Sequence, residues 1–313
     1  MDKHTKDGLR QFQSLPLHLK VQMTKKRIKA WYEHFDCMVY VAFSGGKDST
    51  VLKHIVDSMY DDVPSVFVNT GLEYPEVRQH AINQKNVVVI KPKMTFTKVL
   101  EKYGYPVIGK KQARYIHDLQ NPTENNVQTC NLRLTGINRK GDYCPTQKLA
   151  AKWLYLKDAP FKISEKCCDV MKKAPFKLYQ KETHRYPIVG TMTCESELRE
   201  KAWLKHGCNA FDVSNPISQP LSFWTEQDIL QYIVENDLKI ASVYGEIKQD
   251  DNGKYYLTGE QRTGCMFCMF GAHLEKEPNR FQRMKITHPI QYDYCMNKLG
   301  LRKVLDYIKV KVI

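Results

Sequence analysis

Two sets of residues in this 313-residue chain could do chemistry. The first is Ser44-Gly45-Gly46-Lys47-Asp48-Ser49, which follows the apolar run Val39–Phe43 and precedes Thr50, Val51, Leu52, His54 and Ile55, residues that fit a helix. Two glycines let the backbone approach a ligand closely, a helix start presents unpaired N–H groups, and Lys47, Ser44 and Ser49 add donors. Together they make an anion cradle, and a phosphate or sulfate is its expected guest. The pattern is not the GxxxxGK[ST] nucleotide loop, which would need glycine where Val41 stands and Ser or Thr at Asp48. A tight turn with a helix cap is the plain alternative, and the strand–loop–helix context weighs against it.

The second set is four cysteines. Cys167 and Cys168 are adjacent, and Cys265-Met266-Phe267-Cys268 is a C-x-x-C. Four thiolates from two distant segments can enclose one metal or one cluster. Zinc prefers two spaced knuckles, and an adjacent pair strains tetrahedral closure on a single ion, so an iron–sulfur cluster is the better physical choice. For any one of these residues, a buried thiol packed as a small hydrophobe is the competing reading. Cys37 reads as core, and Cys130, Cys144, Cys194 and Cys208 form no convincing ligand set.

The elements that must position these residues follow from periodicity. Residues 16 to 35 read as an amphipathic helix carrying Leu17, Leu19, Val21, Ile28, Trp31 and Tyr32. Strands at Met38–Phe43, Val63–Asn69 and Val87–Ile90 alternate with helices from Ser49 to about Met59 and near Pro75–Gln84, and Tyr186–Gly190 is a further strand. Continuously apolar strands separated by helices predict an α/β fold with a doubly wound, mostly parallel sheet covered on both faces. In such sheets ligands sit at the carboxyl ends of the strands, so the loops after Phe43 and Asn69 should face one crevice. Thr225 three residues before Asp228 predicts a capped helix, and residues 250–256 a hairpin turn. The expected organisation is an N-terminal helical segment over 1–36, an α/β nucleotide-binding domain over 37–235 with a cysteine-containing helical insert at about 121–185, and a C-terminal hairpin, C-x-x-C and helices over 236–313.

Lys and Arg number 48 against 34 Asp and Glu, a net charge of +14, which argues for a polyanionic partner, nucleotide or nucleic acid. Twelve basic residues stand against five acids in 139–186, and basic residues recur from Lys91 to Arg114; mixed with Tyr103, Tyr105, Tyr115, Trp153, Tyr155, Phe161 and Phe176, they make a groove for unpaired bases compete with an ordinary solvated face. No run approaches the roughly 18 to 20 apolar residues of a membrane span. The first residues, MDKHTKDGLRQFQ, lack a signal-peptide core, so a cytoplasmic location without membrane partners is expected.

The glycine loop resembles the signature of the PP-loop superfamily of ATP pyrophosphatases and sulfonucleotide reductases, whose members bind adenine nucleotides there. Val68-Asn69-Thr70-Gly71-Leu72-Glu73-Tyr74-Pro75-Glu76 is similar to the family's second motif, with Asn69 where Asp is usual. Gly104-Tyr105-Pro106 followed by Lys110-Lys111, the segment Glu195-Ser196-Glu197-Leu198-Arg199, and the run Pro220 to Tyr232 resemble the 3′-phosphoadenylyl-sulfate (PAPS) and adenylyl-sulfate (APS) reductase branch. Gly190-Thr191-Met192 lacks that branch's arginine. The resemblance implies a PP-loop fold and nucleotide contacts from Ser44, Gly45, Gly46, Lys47, Asp48, Ser49, Asn69, Thr70, Gly71, Glu73, Lys110, Lys111, Ser196 and Arg199. It further implies a 4Fe–4S cluster on Cys167, Cys168, Cys265 and Cys268.

Three functions compete, and the sulfonucleotide reductase-like reading stands first because the resemblance covers the insert, the loop and both cysteine pairs. A sulfonucleotide reductase-like enzyme would bind PAPS or APS, attack the sulfur with a cysteine thiolate and draw on a thioredoxin-like reductant. Lys47, Asp48 and Cys295 are the catalytic candidates, although Tyr294-Cys295-Met296-Asn297 lacks the glycine and histidine that flank the family's nucleophile, and packing is the other reading of Cys295. An ATP-dependent sulfur transferase would bind ATP with Mg²⁺, adenylylate an oxygen of DNA or RNA with loss of pyrophosphate, and take sulfur from a donor through the cluster. A nucleotide- or redox-sensing regulator would keep the sites without turnover.

Overall fold

The computed structural model describes residues 3–312. Its strands, in chain order, are β1 (Val39–Phe43), β2 (Ser65–Val68), β3 (Val87–Ile90), β4 (Val107–Ile108), β5 (Tyr186–Val189), β6 (Asn209–Ala210), β7 (Ile217–Ser218), β8 (Ile247–Gln249), β9 (Tyr255–Leu257) and β10 (Met269–Phe270). The chain forms two compact units, Met1–Lys91 with Pro175–Thr263 and Pro92–Ala174 with Gly264–Ile313. The cut points differ from the 36 and 235 expected from sequence, and positions 1, 2 and 313 of the expected segments lie outside the described residues.

The first unit is built on a six-stranded sheet in the order β3-β2-β1-β5-β7-β6, parallel except for the β6–β7 pair. This is the mixed α/β, mostly parallel architecture expected from the alternating strands and helices. β1 and β2 consist almost entirely of apolar side chains because both faces are covered. The helix Lys47–Asp57 brings Val51, Leu52, Ile55 and Val56 to one face, where Ile28 and Trp31 also pack, while Tyr40 and Val66 meet Tyr179 in a smaller cluster. β3 departs from the expected double cover. It is an edge strand, and Val88 and Val89 are exposed.

The chain proceeds from β1 through β2 to β3 on one side of the sheet and resumes with β5 on the other side of β1. Strand order therefore reverses at β1, and the crevice at its carboxyl end is where such sheets bind ligands. Phe43 of β1 lies opposite Phe67 of β2 in parallel register, so the loops that begin at Ser44 and Asn69 leave the same edge.

The helix Leu17–His34 has a buried face of Leu17, Lys20, Thr24, Ile28 and Trp31 at spacings of three and four, whereas Leu19 is exposed. Two polar residues thus occupy positions that an apolar count misses. Each has a partner. Lys20 Nζ lies 2.8 and 2.7 Å from the two carboxylate oxygens of Asp228 and donates to the Gln13 carbonyl at 2.6 Å. Thr24 Oγ1 donates to the Pro220 carbonyl and accepts from the Trp224 indole at 2.9 Å. Asp228 also closes the capping box of the helix Glu226–Glu235, accepting from the Thr225 N–H at 2.7 Å.

The second unit is mainly helical. β4 pairs in parallel with β10, Val107 opposite Met269, and the helices Phe96–Tyr103, Lys110–Gln120, Arg280–Thr287 and Leu301–Tyr307 bury Val99, Ile116, Phe281, Leu301 and Leu305. Residues expected as an insert of helices and loops carry the 3₁₀ stretch Ala151–Asp158 and the π-helical turn Asp169–Lys173.

A buried ion pair is costly to break from one side, because the partner left behind stays buried and charged. Lys20→Met should therefore lower the unfolding free energy in urea by about 3–5 kcal/mol. Adding Asp228→Asn to it should recover more than half of that loss, and a double variant no better than the single one would contradict the pairing.

Candidate functional site

The loop between β1 and the helix Lys47–Asp57 is held by its own hydroxyls. The Ser44 N–H donates to Ser49 Oγ at 3.2 Å, the Gly46 N–H to Ser44 Oγ at 3.3 Å, and Ser49 Oγ to the Gly46 carbonyl at 2.9 Å. Gly45 has φ +75°, and a Cβ there would lie 2.7 Å from the Val77 carbonyl, so only glycine lets the loop pass so close to the helix Pro75–Ile82. Gly46 is the N-cap and has no side chain to satisfy the first-turn N–H groups. The Lys47 N–H instead donates to the Tyr244 hydroxyl at 3.0 Å.

Lys47 is buried, with Nζ 3.4 Å from Asp48 Oδ1, 3.3 Å from Glu226 Oε1 and 3.4 Å from the Gln261 carbonyl. Burial alone would pull its pKa down, but Asp48, Tyr244 and Glu226 together push it above the ordinary lysine value. The ammonium is therefore a fixed positive charge at a helix start. Asp48 shows the converse. Its Oδ1 is sealed from solvent and, although in ion-pair range of Lys47, accepts no hydrogen bond. Burial raises its carboxyl pKa, with Lys47 and the more distant Arg262 opposing.

At the neighbouring strand end the Asn69–Glu73 turn is internally bonded. Gly71 N–H donates to Asn69 Oδ1 at 3.3 Å, while Glu73 accepts from the Thr70 N–H at 3.1 Å and the Thr70 hydroxyl at 2.6 Å. Glu73 thus shapes the turn. Ser196 caps the helix Glu197–His206, and Arg199 is ion-paired to Glu195. Burial first and then Arg262 pull Arg199 below its ordinary pKa, with Asp48 and Cys194 opposing. Sequence reading missed Glu226, Tyr244, Gln261, Arg262 and Thr263. Glu226 lies in the predicted capped helix and the others flank the predicted turn at 250–256, all about 180 to 215 residues beyond the loop, and no local pattern marks them.

Lys110 and Lys111 open the helix Lys110–Gln120 in the second unit and are exposed. The four predicted ligand cysteines also belong to that unit. They come together electrostatically: burial first, then Cys265, Cys168 and Cys268, push the Cys167 thiol up. Burial likewise raises Cys268, and the Lys172 and Arg280 cations oppose it. Among the described residues no three His, Cys, Asp or Glu side chains are arranged to hold a single metal ion, and no disulfide joins the cysteines. Cys295 lies in the π-helical turn Tyr294–Lys298, has no exposed surface, donates to the Tyr292 carbonyl and has its pKa pushed up to about 12 by burial. An attacking thiolate is disfavoured there. No helix among the described residues is long and apolar enough to cross a membrane.

The family model described as "phosphoadenosine phosphosulfate reductase domain" matches residues 38–120 and 121–269. An uncharacterized protein of Methanocaldococcus jannaschii is 27% identical over 272 residues, 84% of this chain and 48% of the relative, so the chain spans about half the length of that curated relative. Among solved structures, a PAPS reductase from Candida auris in a phosphate complex aligns over 83% of this chain and 98% of its own, with TM-score 0.41 and 13% identity. The U34-tRNA thiolase NcsA from Methanococcus maripaludis, with its [4Fe-4S] cluster, aligns over 93% and 80%, with TM-score 0.35 and 11% identity.

Because the folded state raises the Asp48 pKa, its contribution to stability is fully present below the ordinary carboxyl value and is lost as pH rises through the folded value. Asp48→Asn removes that loss. In urea melts of ligand-free protein the variant should gain stability relative to wild type as pH rises above the ordinary carboxyl value of about 4. A difference that stays flat or falls would contradict the burial argument.

Proposed function

The chain belongs to the phosphoadenosine phosphosulfate reductase domain family, within the PP-loop superfamily, and from that premise we propose that it is an enzyme that binds an adenine nucleotide at Ser44–Ser49 and spends it on sulfur chemistry. The observation that carries the reading is the Lys47–Asp48 pair at an uncapped helix start. Lys47 and the first-turn N–H groups hold a phosphate, while the sealed Asp48 oxygen without a hydrogen-bond donor suits the divalent cation that accompanies a triphosphate. This favours ATP, with Mg²⁺ held by Asp48, over a sulfonucleotide.

In the ATP-dependent reaction an oxygen of a nucleic-acid base or backbone attacks the α-phosphorus. The bond to the β-phosphate oxygen breaks, and pyrophosphate leaves with the electron pair. Sulfur from a donor then displaces AMP. Lys47 offsets charge on the phosphates through the first step, and the glycines allow the backbone to approach them. The net charge of +14 suits a nucleic-acid acceptor. Cys167, Cys168, Cys265 and Cys268 would hold a 4Fe–4S cluster, which when bound supplies a centre for handling sulfur.

A second reading, the sulfonucleotide reductase, is kept by a different thiol from the one expected. Cys295 is buried, but Cys194 is exposed in the first unit, although desolvation of the thiol, with Asp48 and Glu226, raises its pKa as well and Arg262 opposes. A thiolate there would attack the sulfur of PAPS or APS. The S–O bond to the nucleotide phosphate would break, and a dithiol reductant of the thioredoxin class would release sulfite and become a disulfide.

Anaerobically purified protein should contain iron and acid-labile sulfide, both lost in Cys167→Ala and Cys268→Ala. Given ATP, Mg²⁺, sulfide and bulk tRNA or DNA, it should release AMP and pyrophosphate, with kcat/KM falling at least about 100-fold in Lys47→Ala. Sulfite from PAPS or APS in place of pyrophosphate from ATP would establish the reductase instead. Nucleotide bound without either product would contradict both enzymes and leave the sensor.

A further inference from the structure

The last stretch of the first unit is a hairpin, residues 242–263, that folds back onto the glycine loop. Its own hydrogen bonds make it one body. β8 pairs with β9, the Gly259 N–H donates to the Tyr244 carbonyl and the Glu260 N–H to the Val243 carbonyl, both at 2.9 Å, and the Gln261 side chain donates to the Leu257 carbonyl at 2.9 Å. Three of its polar groups meet the loop. The Tyr244 hydroxyl accepts the Lys47 N–H at 3.0 Å, the Thr263 hydroxyl bonds to that same oxygen, and the Gln261 carbonyl accepts from Lys47 Nζ at 3.4 Å.

An acceptor therefore already stands at an N–H that a phosphate oxygen would take. The same pair of hydroxyls fills the side on which Gly46 has no side chain, because a Cβ there would lie 3.2 Å from the Tyr244 hydroxyl and 3.4 Å from that of Thr263. The space a glycine leaves for close approach of a ligand is thus held by the protein itself. Lys47 is covered as well, its Nζ 5.8 Å from the centre of the Tyr244 ring and engaged by Glu226 and Gln261. Tyr244 is only 2% exposed. A ring packed so closely does not turn aside alone, so its hydroxyl leaves the loop only when the hairpin moves with it.

We infer that the hairpin of residues 242–263 is a plug on the nucleotide site: in the empty protein the Tyr244 and Thr263 hydroxyls stand where phosphate oxygens bind, and nucleotide enters by displacing them. The inference rests on the nucleotide reading above. Binding then combines opening of the hairpin with capture of the phosphate, and the apparent affinity is below the cradle's own by the fraction of molecules that are open.

Equilibrium dialysis of ATP with Mg²⁺, together with amide hydrogen exchange of the ligand-free proteins, tests it on wild type, Tyr244→Phe, Thr263→Val and Lys47→Ala. Tyr244→Phe keeps the ring and deletes the acceptor, which leaves the Lys47 N–H unsatisfied until a phosphate arrives. It should bind ATP about 3- to 30-fold more tightly than wild type, and Thr263→Val, which loosens the plug from its other side, about 2- to 10-fold. Without ligand, the Lys47 amide of Tyr244→Phe should exchange at least about tenfold faster than that of wild type, and ATP should restore its protection. ATP binding that Tyr244→Phe leaves unchanged or weakens, while Lys47→Ala still weakens it, overturns the plug and leaves the nucleotide reading standing. ATP bound by Tyr244→Phe but not by wild type supports the plug. If none of the proteins binds ATP, the nucleotide reading falls and the plug with it.

Discussion

A buried strand that turns directly into a helix must leave the first N–H groups of that helix without backbone partners, and here Gly46 stands where a capping side chain could have satisfied one. Lys47 adds a buried cation at the same end, where the helix dipole already disfavours positive charge. Asp48, Glu226 and the Gln261 carbonyl offset that concentration of charge from three directions, and Tyr244 takes up one N–H. Much of the first unit can be understood as support for this arrangement. The hairpin return supplies the carbonyl and the tyrosine's partner, and the helix Glu226–Glu235 supplies the exposed carboxylate.

The support is itself anchored by buried polar pairs. Asp228 joins the start of the helix Glu226–Glu235 to Lys20, and Trp224 is hydrogen-bonded to Thr24 on the same N-terminal helix. Such pairs add little net stability but penalise misplacement heavily. They therefore fix where Glu226 stands, two residues before Asp228. Precision at the glycine loop is thus connected to contacts in the interior of the unit rather than to the loop's own bonds alone.

What the sequence made legible was local. The strand–loop–helix context of Ser44–Ser49, the alternation that builds the parallel sheet and the Thr225 capping box are all patterns within about ten residues, and each is present in the structure. Lys20 and Thr24 were hidden because their burial depends on partners some 200 residues away. Arg262 and Tyr244 were hidden for the same reason. The two compact units were illegible because each is assembled from separate stretches of chain, so no composition change marks a boundary. The exposure of Val88 and Val89 could not be read from an apolar run, which looks the same at a sheet edge as at its centre.

The central claim is that the positive charge gathered at Lys47 and the start of its helix exists to hold a nucleotide phosphate. Equilibrium dialysis of radiolabelled ATP against wild type and Lys47→Ala, with folding of both verified by circular dichroism, tests it most directly. Saturable binding by wild type that weakens at least about 30-fold in the variant, and weakens with added salt, is the predicted result. Binding unchanged by Lys47→Ala, or none by wild type at millimolar ATP, would contradict the account.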